Sequence, residues 1–218
     1  MRIYNALSKQ TQDFNVSNDT VNMYVCGITP YDSAHLGHAM SAVVFDMIRR
    51  YFEFKGFNVN YIQNFTDVDD KMINAANIQN IEVSELAEKN IAEYLDELKS
   101  LNVKVATKYP KATEEIPAII ELISQLIENN FAYEIDGDVY FRVNSDEDYG
   151  KLSNRKIQDL LSGARLEIDE NKEFPADFAL WKKQKPGEPF WSSPWGDGRP
   201  GWHIECSAMA LKYLGDSI

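Results

Sequence analysis

Two short windows hold every cysteine and histidine of this 218-residue chain: CGITPYDSAHLGH, residues 26–38, and GWHIECSAM, residues 201–209. The residues concerned are Cys26, His35, His38, His203 and Cys206. Taken singly, a cysteine is most often a small buried hydrophobe and a histidine a hydrogen-bonded core residue. Gathered in two windows at the ends of structural elements, they point to chemistry instead. Thiols bind soft and borderline metals as thiolates, and thiolates are also nucleophiles. His35 and His38 are three residues apart, so at a helix start they share one face of the first turn. Gly37 between them lets a ligand approach the backbone closely. A helix N-terminus offers unpaired N–H groups and partial positive charge, and imidazoles beside it can donate hydrogen bonds, so phosphate is the natural ligand. A metal held by the histidine pair is the other reading open at this spacing.

The elements that must position these residues follow from periodicity. VNMYVC, residues 21–26, alternates as a strand, and Asp32 or Ser33 can cap a helix beginning near His35. Met40, Val43, Val44, Met47, Ile48, Tyr51 and Phe54 recur at helical spacing up to Gly56, a C′ residue that ends the helix. NVNYIQN, residues 58–64, is a second strand. Strand, long helix and strand make a βαβ unit with a parallel sheet and a right-handed crossover. Ligands of such sheets sit beyond the carboxyl ends of the strands. Cys26 and the first two histidines follow one strand there, and Thr66, Asp67, Asp69 and Asp70 follow the other.

A second helix is predicted over 84–100, capped by Ser84, with Ile91, Tyr94, Leu95 and Leu98 on one face. A third covers 114–129, capped by Thr113, with Pro117 in its first turn and a stripe of Ile116, Ile119, Ile120, Ile123, Leu126 and Ile127. Both stripes read as core. AYEIDGDVYFRV, residues 132–143, is a hairpin turning at Asp136-Gly137. It breaks the βαβ pattern, so an insertion is expected to begin near residue 105. Proline, glycine and tryptophan concentrate from 186 to 201, and WHIECSAMALKYLG then offers a final helix.

Composition excludes several classes. At 44% hydrophobic residues the chain can bury a full core, and it has no run of roughly 18 apolar residues of the kind that spans a membrane. The N-terminus has no apolar signal region, so the expected compartment is the cytoplasm, with reduced thiols. A net charge of −12 argues against nucleic-acid binding by bulk electrostatics. The acidic stretches around 134–139 and 167–174 read as solvated faces.

HLGH at 35–38 resembles the His-Ile-Gly-His signature of class I aminoacyl-tRNA synthetases, with Leu36 as a mild departure. Alone, four residues are weak evidence. The flanking text narrows it: MYVCGITPYDSAHLGHAMSAVVFD, NFTDVDDKMI, DFALWK and SPWGDGRPGWHIECSAM, in that order, resemble cysteinyl-tRNA synthetases over nearly the whole chain. That resemblance implies an α/β fold: a Rossmann-like parallel sheet of the class I nucleotidyl-transferase type, with a connective α+β insertion. On this reading residues 1–104 form the first part of the catalytic domain, 105–198 the insertion, and 199–218 a return to the catalytic domain.

The same resemblance implies a zinc ion that receives the thiolate of the substrate L-cysteine, with Cys26 and Cys206 at the positions of its two cysteine ligands. It places Gly27, Thr66, Trp202 and His203 along the amino-acid pocket, and His35, Gly37 and His38 at ATP, which enters with magnesium. His35 and His38 are then the catalytic pair, stabilising charge that develops on the phosphates. Thiolate–zinc bonding gives a physical reason for rejecting serine. The third partner is the tRNA for cysteine. Glu205 and the Asp67-Asp69-Asp70 group are read as helix caps or loop ties, and SPWGDGRPGW as positioning the last helix.

The family continues beyond a segment like LGDSI into a second half carrying further zinc ligands, a Lys-Met-Ser-Lys-Ser-type loop and tRNA-gripping helices, so this chain is expected to be an amino-terminal fragment. His203 is then the only nearby candidate for a third metal ligand, zinc is expected to be weakly held or absent, and residues 1–218 alone are expected to be inactive. Two other readings compete: a cysteine ligase of mycothiol synthesis, disfavoured by TDVDDK and RRYFEFKGF, and a non-catalytic binding module that kept the fold.

Overall fold

The structure, a computed structural model, describes residues 1–16, 19–154, 172–201 and 203–216. Trp202 and most of the acidic stretch near 167–174 therefore lie outside the described residues. The chain opens with an exposed antiparallel hairpin, β1 (Arg2–Asn5) and β2 (Gln10–Asp13), which the periodicity did not announce. The predicted βαβ unit follows as β3 (Thr20–Val25), α1 (Leu36–Phe54) and β4 (Asn58–Gln63). β3 and β4 pair in parallel, Val21 opposite Val59 and Val25 opposite Gln63. Gly56, at φ +89°, takes the left-handed C′ position that ends α1.

α1 turns Ala42, Asp46 and Phe52 inward and leaves the rest of its apolar stripe open, with Met40 69%, Met47 62% and Phe54 82% exposed. Periodicity marks one face as apolar but does not say what covers it. Among the described residues β3 also has no strand on its outer edge. On the other side of β4 the chain after the third helix runs alongside, with Lys108 bridging to Ile62 and Lys111 to Phe65 in parallel. This segment runs alongside the parallel sheet.

Two helices cover the sheet end: α2 (Asp70–Gln79), absent from the sequence reading, and α3 (Val83–Ser100). Phe65, Met72, Leu86, Ile91, Tyr94 and Leu98 form their shared core. The cap of α3 is Glu82, without a side-chain hydrogen bond, so Ser84 is not its cap. α4 (Ile116–Glu128) likewise starts after Glu115, because Thr113 is committed elsewhere, giving its N–H and Oγ1 to Asp67 at 3.0 and 2.6 Å.

Next, α4 packs against an antiparallel sheet of β5 (Ala132–Ile135), β6 (Asp138–Phe141), β7 (Phe178–Lys183) and β8 (Gly198–Pro200), and α5 (Ile204–Leu214) follows. Asp136 and Gly137 both have positive φ, as a two-residue type I′ hairpin turn requires. Ile119, Ile123, Val139, Trp181, Ile204 and Ala208 share one core, so α5 is anchored on α4 and the antiparallel sheet while it also packs against β3.

Buried Asp177 holds this sheet together, accepting from Tyr133 Oη at 2.8 Å, Val143 N at 2.9 Å and Phe174 N at 3.1 Å. Asp177→Ala strands three donors, two of them on buried residues, and is expected to cost about 3–5 kcal/mol in a denaturant titration. Among the described residues no helix is long and apolar enough to cross a membrane.

Candidate functional site

The carboxyl ends of β3 and β4 lie side by side, and their following residues interlock. Gly27 N–H donates to Asn64 Oδ1 at 3.0 Å, Thr66 N–H to the Ile28 carbonyl at 3.1 Å, and Asn64 Nδ2 to Thr66 Oγ1 at 3.2 Å. Gly27 has no alternative here: a Cβ on it would stand 1.6 Å from the Asn64 carbonyl oxygen. The loop toward α1 is pinned from behind by Asn90, whose buried amide donates to the Pro30 carbonyl at 2.7 Å.

The opposite wall comes from β8 and α5. Gly201 N–H bonds the Leu180 carbonyl at 2.7 Å, and a Cβ there would lie 1.9 Å from the Ala179 carbonyl oxygen, so glycine lets the chain pass tight against β7. His203 then caps α5 with φ +76°, a left-handed backbone that non-glycine residues seldom adopt. Its ring packs edge-on against Phe178, and burial pushes its pKa down.

This turn places Cys206 in the first turn of α5, with its sulfur 3.5 Å from that of Cys26. Both are free thiols, Cys26 exposed and Cys206 half-buried. Cys206 Sγ also lies 3.7 Å from Asn64 Oδ1. Asn64, fully buried, thus touches Gly27, Thr66 and Cys206, and the sequence reading missed it. An asparagine directly after a βαβ strand, two residues before a threonine already singled out, was the available signal.

The two thiols share a proton. The Cys206 S–H group, donated toward Cys26, brings the Cys26 pKa down to about 6 against the opposing effect of burial. The shared proton and burial push Cys206 up. In the metal-free chain iodoacetamide should therefore label Cys26 first, with its rate half-maximal near pH 6 as the Cys26 thiolate forms. Cys206→Ala should return that midpoint to the ordinary thiol range, and an unmoved midpoint would show that the proton is not shared.

The zinc implied by the resemblance fits this pair as half of a site. Two thiolates on one tetrahedral zinc at roughly 2.3 Å stand roughly 3.8 Å apart, close to the observed separation. Among the described residues no group of three or more His, Cys, Asp or Glu could hold a metal, so His203 does not join the cysteines as a third ligand.

Beside the thiols lies a cavity of ≈ 350 Å³ whose walls include Thr29, Thr66, Asp69, Arg199, Gly201 and Glu205. Glu205 is 3% exposed, and burial pushes its carboxyl up to about 7, with the charges of Asp69 and Cys26 adding to the rise. Asp69 caps α2, accepting from Met72 N at 2.7 Å. Asp70 accepts from Arg199 Nη2 and Lys182 Nζ, each at 2.6 Å, and Arg199, 1% exposed, also reaches Glu188 at 3.0 Å. Arg199 comes from the glycine- and tryptophan-rich stretch, which carries this buried charge as well as positioning α5. A larger hollow of ≈ 750 Å³ near the start of α3 is lined by no cysteine or histidine.

His35 and His38 form a capping box at the start of α1: His35 Nδ1 accepts from Gly37 N–H at 3.1 Å, and His38 Nδ1 accepts from His35 N–H at 3.2 Å. Neither Asp32 nor Ser33 is the cap. With Nδ1 accepting in both rings, the proton of each neutral imidazole sits on Nε2, leaving two Nε2–H donors. The rings stack at 3.8 Å between centroids, 12° from parallel. Burial, then the charge of His35, pushes the His38 pKa down, while Glu97 opposes. Gly37 serves the cap itself: a Cβ there would meet His35 Cε1 at 2.9 Å and Nδ1 at 3.0 Å.

Comparison with known proteins follows the same lines. Residues 12–218 match the family described as tRNA synthetases class I (C), catalytic domain. Across its full length the chain is 59% identical to a cysteine–tRNA ligase of Dehalococcoides mccartyi strain BAV1, covering 48% of that protein. It is 57% identical to the cysteine–tRNA ligase of Carboxydothermus hydrogenoformans, covering 47% of it. The chain thus spans about half the length of the curated relatives it matches. In fold it is similar to Mycobacterium tuberculosis methionyl-tRNA synthetase in complex with methionyl-adenylate, with a TM-score of 0.65 at 14% identity over 90% of this chain and 47% of that one.

Proposed function

The chain belongs to the class I cysteinyl-tRNA synthetase family, and from that premise we propose that it supplies the amino-acid and nucleotide sites of an enzyme that activates L-cysteine with ATP and passes it to the tRNA for cysteine. In the first step a carboxylate oxygen of cysteine attacks the α-phosphorus of ATP. The bond to the bridging oxygen breaks, and pyrophosphate leaves with magnesium, giving cysteinyl adenylate. The cysteinyl group then passes to a hydroxyl of the terminal ribose of the tRNA, releasing AMP. The observation that carries this reading is the Cys26–Cys206 pair, with 3.5 Å between sulfurs, next to Glu205, which lines a cavity together with Thr66.

Cys26 and Cys206 would hold zinc, which when bound supplies an open position that prefers a thiolate to a hydroxyl. Gly27, Thr66 and His203 line the amino-acid pocket in this reading, as does Trp202, outside the described residues. The Asp69 and Glu205 carboxyl groups in the cavity wall are acceptors that suit an α-ammonium group. His35 and His38 hold their Nε2–H donors toward the phosphates, fixed by the capping box rather than turned by solvent, with Gly37 allowing the cap to close. The place of action is the cytoplasm, where tRNA is charged. A cysteine ligase of mycothiol synthesis is not favoured, since relatives at 57–59% identity are named cysteine–tRNA ligases.

A chimaera with residues 1–218 in place of the matching half of the Dehalococcoides mccartyi ligase tests the proposal. Cysteine-dependent ATP–pyrophosphate exchange and charging of the tRNA are expected, with serine poorer by roughly 10⁴-fold or more. Exchange without cysteine dependence, or equal use of serine, would remove the reading.

A further inference from the structure

Two stretches singled out in the sequence, TDVDDK and SPWGDGRPGW, meet in the structure through one side chain. Arg199 lies in the middle of β8 and is 1% exposed. Its Nε donates to Glu188 Oε2 at 3.0 Å and its Nη2 to Asp70 Oδ1 at 2.6 Å, while Lys182 Nζ reaches the other oxygen of Asp70 at 2.6 Å. Lys182 is the register partner of Arg199 on β7. Two cations directly opposite on an antiparallel pair repel. Asp70, with one cation on each carboxylate oxygen, relieves that repulsion, and it comes from the first turn of α2, 129 residues away. Its own side chain stays 58% exposed, so the two cations rather than burial hold it in place.

A buried arginine is a poor choice for stability alone, since a well-packed apolar side chain of similar volume does as well or better. What a guanidinium adds is direction: its planar fork fixes the distance and the angle of the carboxylates it holds. Here the fork joins two walls of the ≈ 350 Å³ cavity. Asp70 continues the wall that carries Thr66 and Asp69, and Arg199 the wall that carries Gly201 and Glu205. We infer that Arg199 is a positioning residue for the amino-acid pocket: through Asp70 it fixes the separation of the Thr66–Asp69 wall from the Gly201–Glu205 wall, and so the fit of the free amino acid between them. This rests on the reading of that cavity as the amino-acid pocket. His35 and His38 line neither wall, so the effect should fall on cysteine and spare ATP.

ATP–pyrophosphate exchange by the chimaera, with cysteine and ATP varied separately and a thermal melt run beside it, tests the inference. Arg199→Lys keeps the buried charge and loses the fork, whereas Asp70→Asn keeps the shape and loses the charge between the two cations. Each is expected to raise KM for cysteine about 10-fold or more, with KM for ATP and the maximal rate within about threefold of the parent. The two together should raise KM for cysteine little beyond the larger single effect, because both remove one interaction. A residue that only stabilised the fold would instead lower the maximal rate along with the folded fraction and leave both KM values alone. That result, an unchanged KM for cysteine in folded Arg199→Lys, or fully multiplicative effects in the double variant would overturn the Arg199 assignment. So would failure of both single variants to fold, since the fork would then serve the fold rather than the pocket. A parent chimaera without cysteine-dependent exchange would remove the reading of the cavity and this inference with it.

Discussion

Serine at position 26 or 206 in the chimaera is expected to lower cysteine-dependent pyrophosphate exchange by about 10³-fold or more while leaving its melting temperature within a few degrees. The two measurements separate chemistry from stability. Cys26 is exposed and Cys206 half-buried, and serine is smaller than cysteine, so neither change overfills the site. What changes is the ligand. A hydroxyl stays protonated at neutral pH and binds a borderline-soft metal poorly, whereas the Cys26 thiol ionises near pH 6. The effect should fall on the use of cysteine in particular, since the thiol pair is the feature of the cavity that can tell a thiol from a hydroxyl. An exchange rate near that of the parent, with either serine variant, would remove the thiol pair from the reaction.

How much of this was legible beforehand depended on whether a residue's partner is near in sequence. The β3–α1–β4 unit was, because alternation, helical spacing and Gly56 are local signals. So was the hairpin at Asp136-Gly137, where both residues adopt positive φ. The thiol pair was legible only through motif resemblance, since nothing local brings residues 26 and 206 to 3.5 Å. The cap of α4 was misjudged because a distant group competed. Thr113 looks like an N-cap until Asp67 takes both its N–H and its hydroxyl. His35 and His38 look like ligand-binding groups alone, yet each first satisfies the backbone of α1. Asp69 was read as a helix cap or loop tie and does cap α2, but the helix itself escaped notice because its buried face is only Met72, Ile73 and Ala76. Asn64 carries no composition signal at all. Its importance lies in three-dimensional neighbours contributed by β3, β4 and α5.

Gly27→Ala is expected to destabilise residues 1–218 by about 3 kcal/mol or more, the upper end of overpacking costs, and to uncouple the thiols in whatever fraction still folds. The added Cβ would sit 1.6 Å from the Asn64 carbonyl oxygen and 2.8 Å from its carbon, so a backbone group rather than a side-chain tip must yield. Asn64 follows β4 directly, and β4 is paired along its length with β3, so relief has to come from the strand ends parting. That movement carries the Asn64 amide away from Gly27 N–H, from Thr66 and from Cys206. Cys26 is the residue next to the substitution and moves with it. Two readouts on one sample are therefore linked: the denaturation midpoint should fall, and the pH midpoint of Cys26 alkylation should rise from about 6 toward the ordinary thiol range. A stable Gly27→Ala chain with an unchanged alkylation midpoint would mean that the close approach of β3 and β4 does not set the spacing of the thiols.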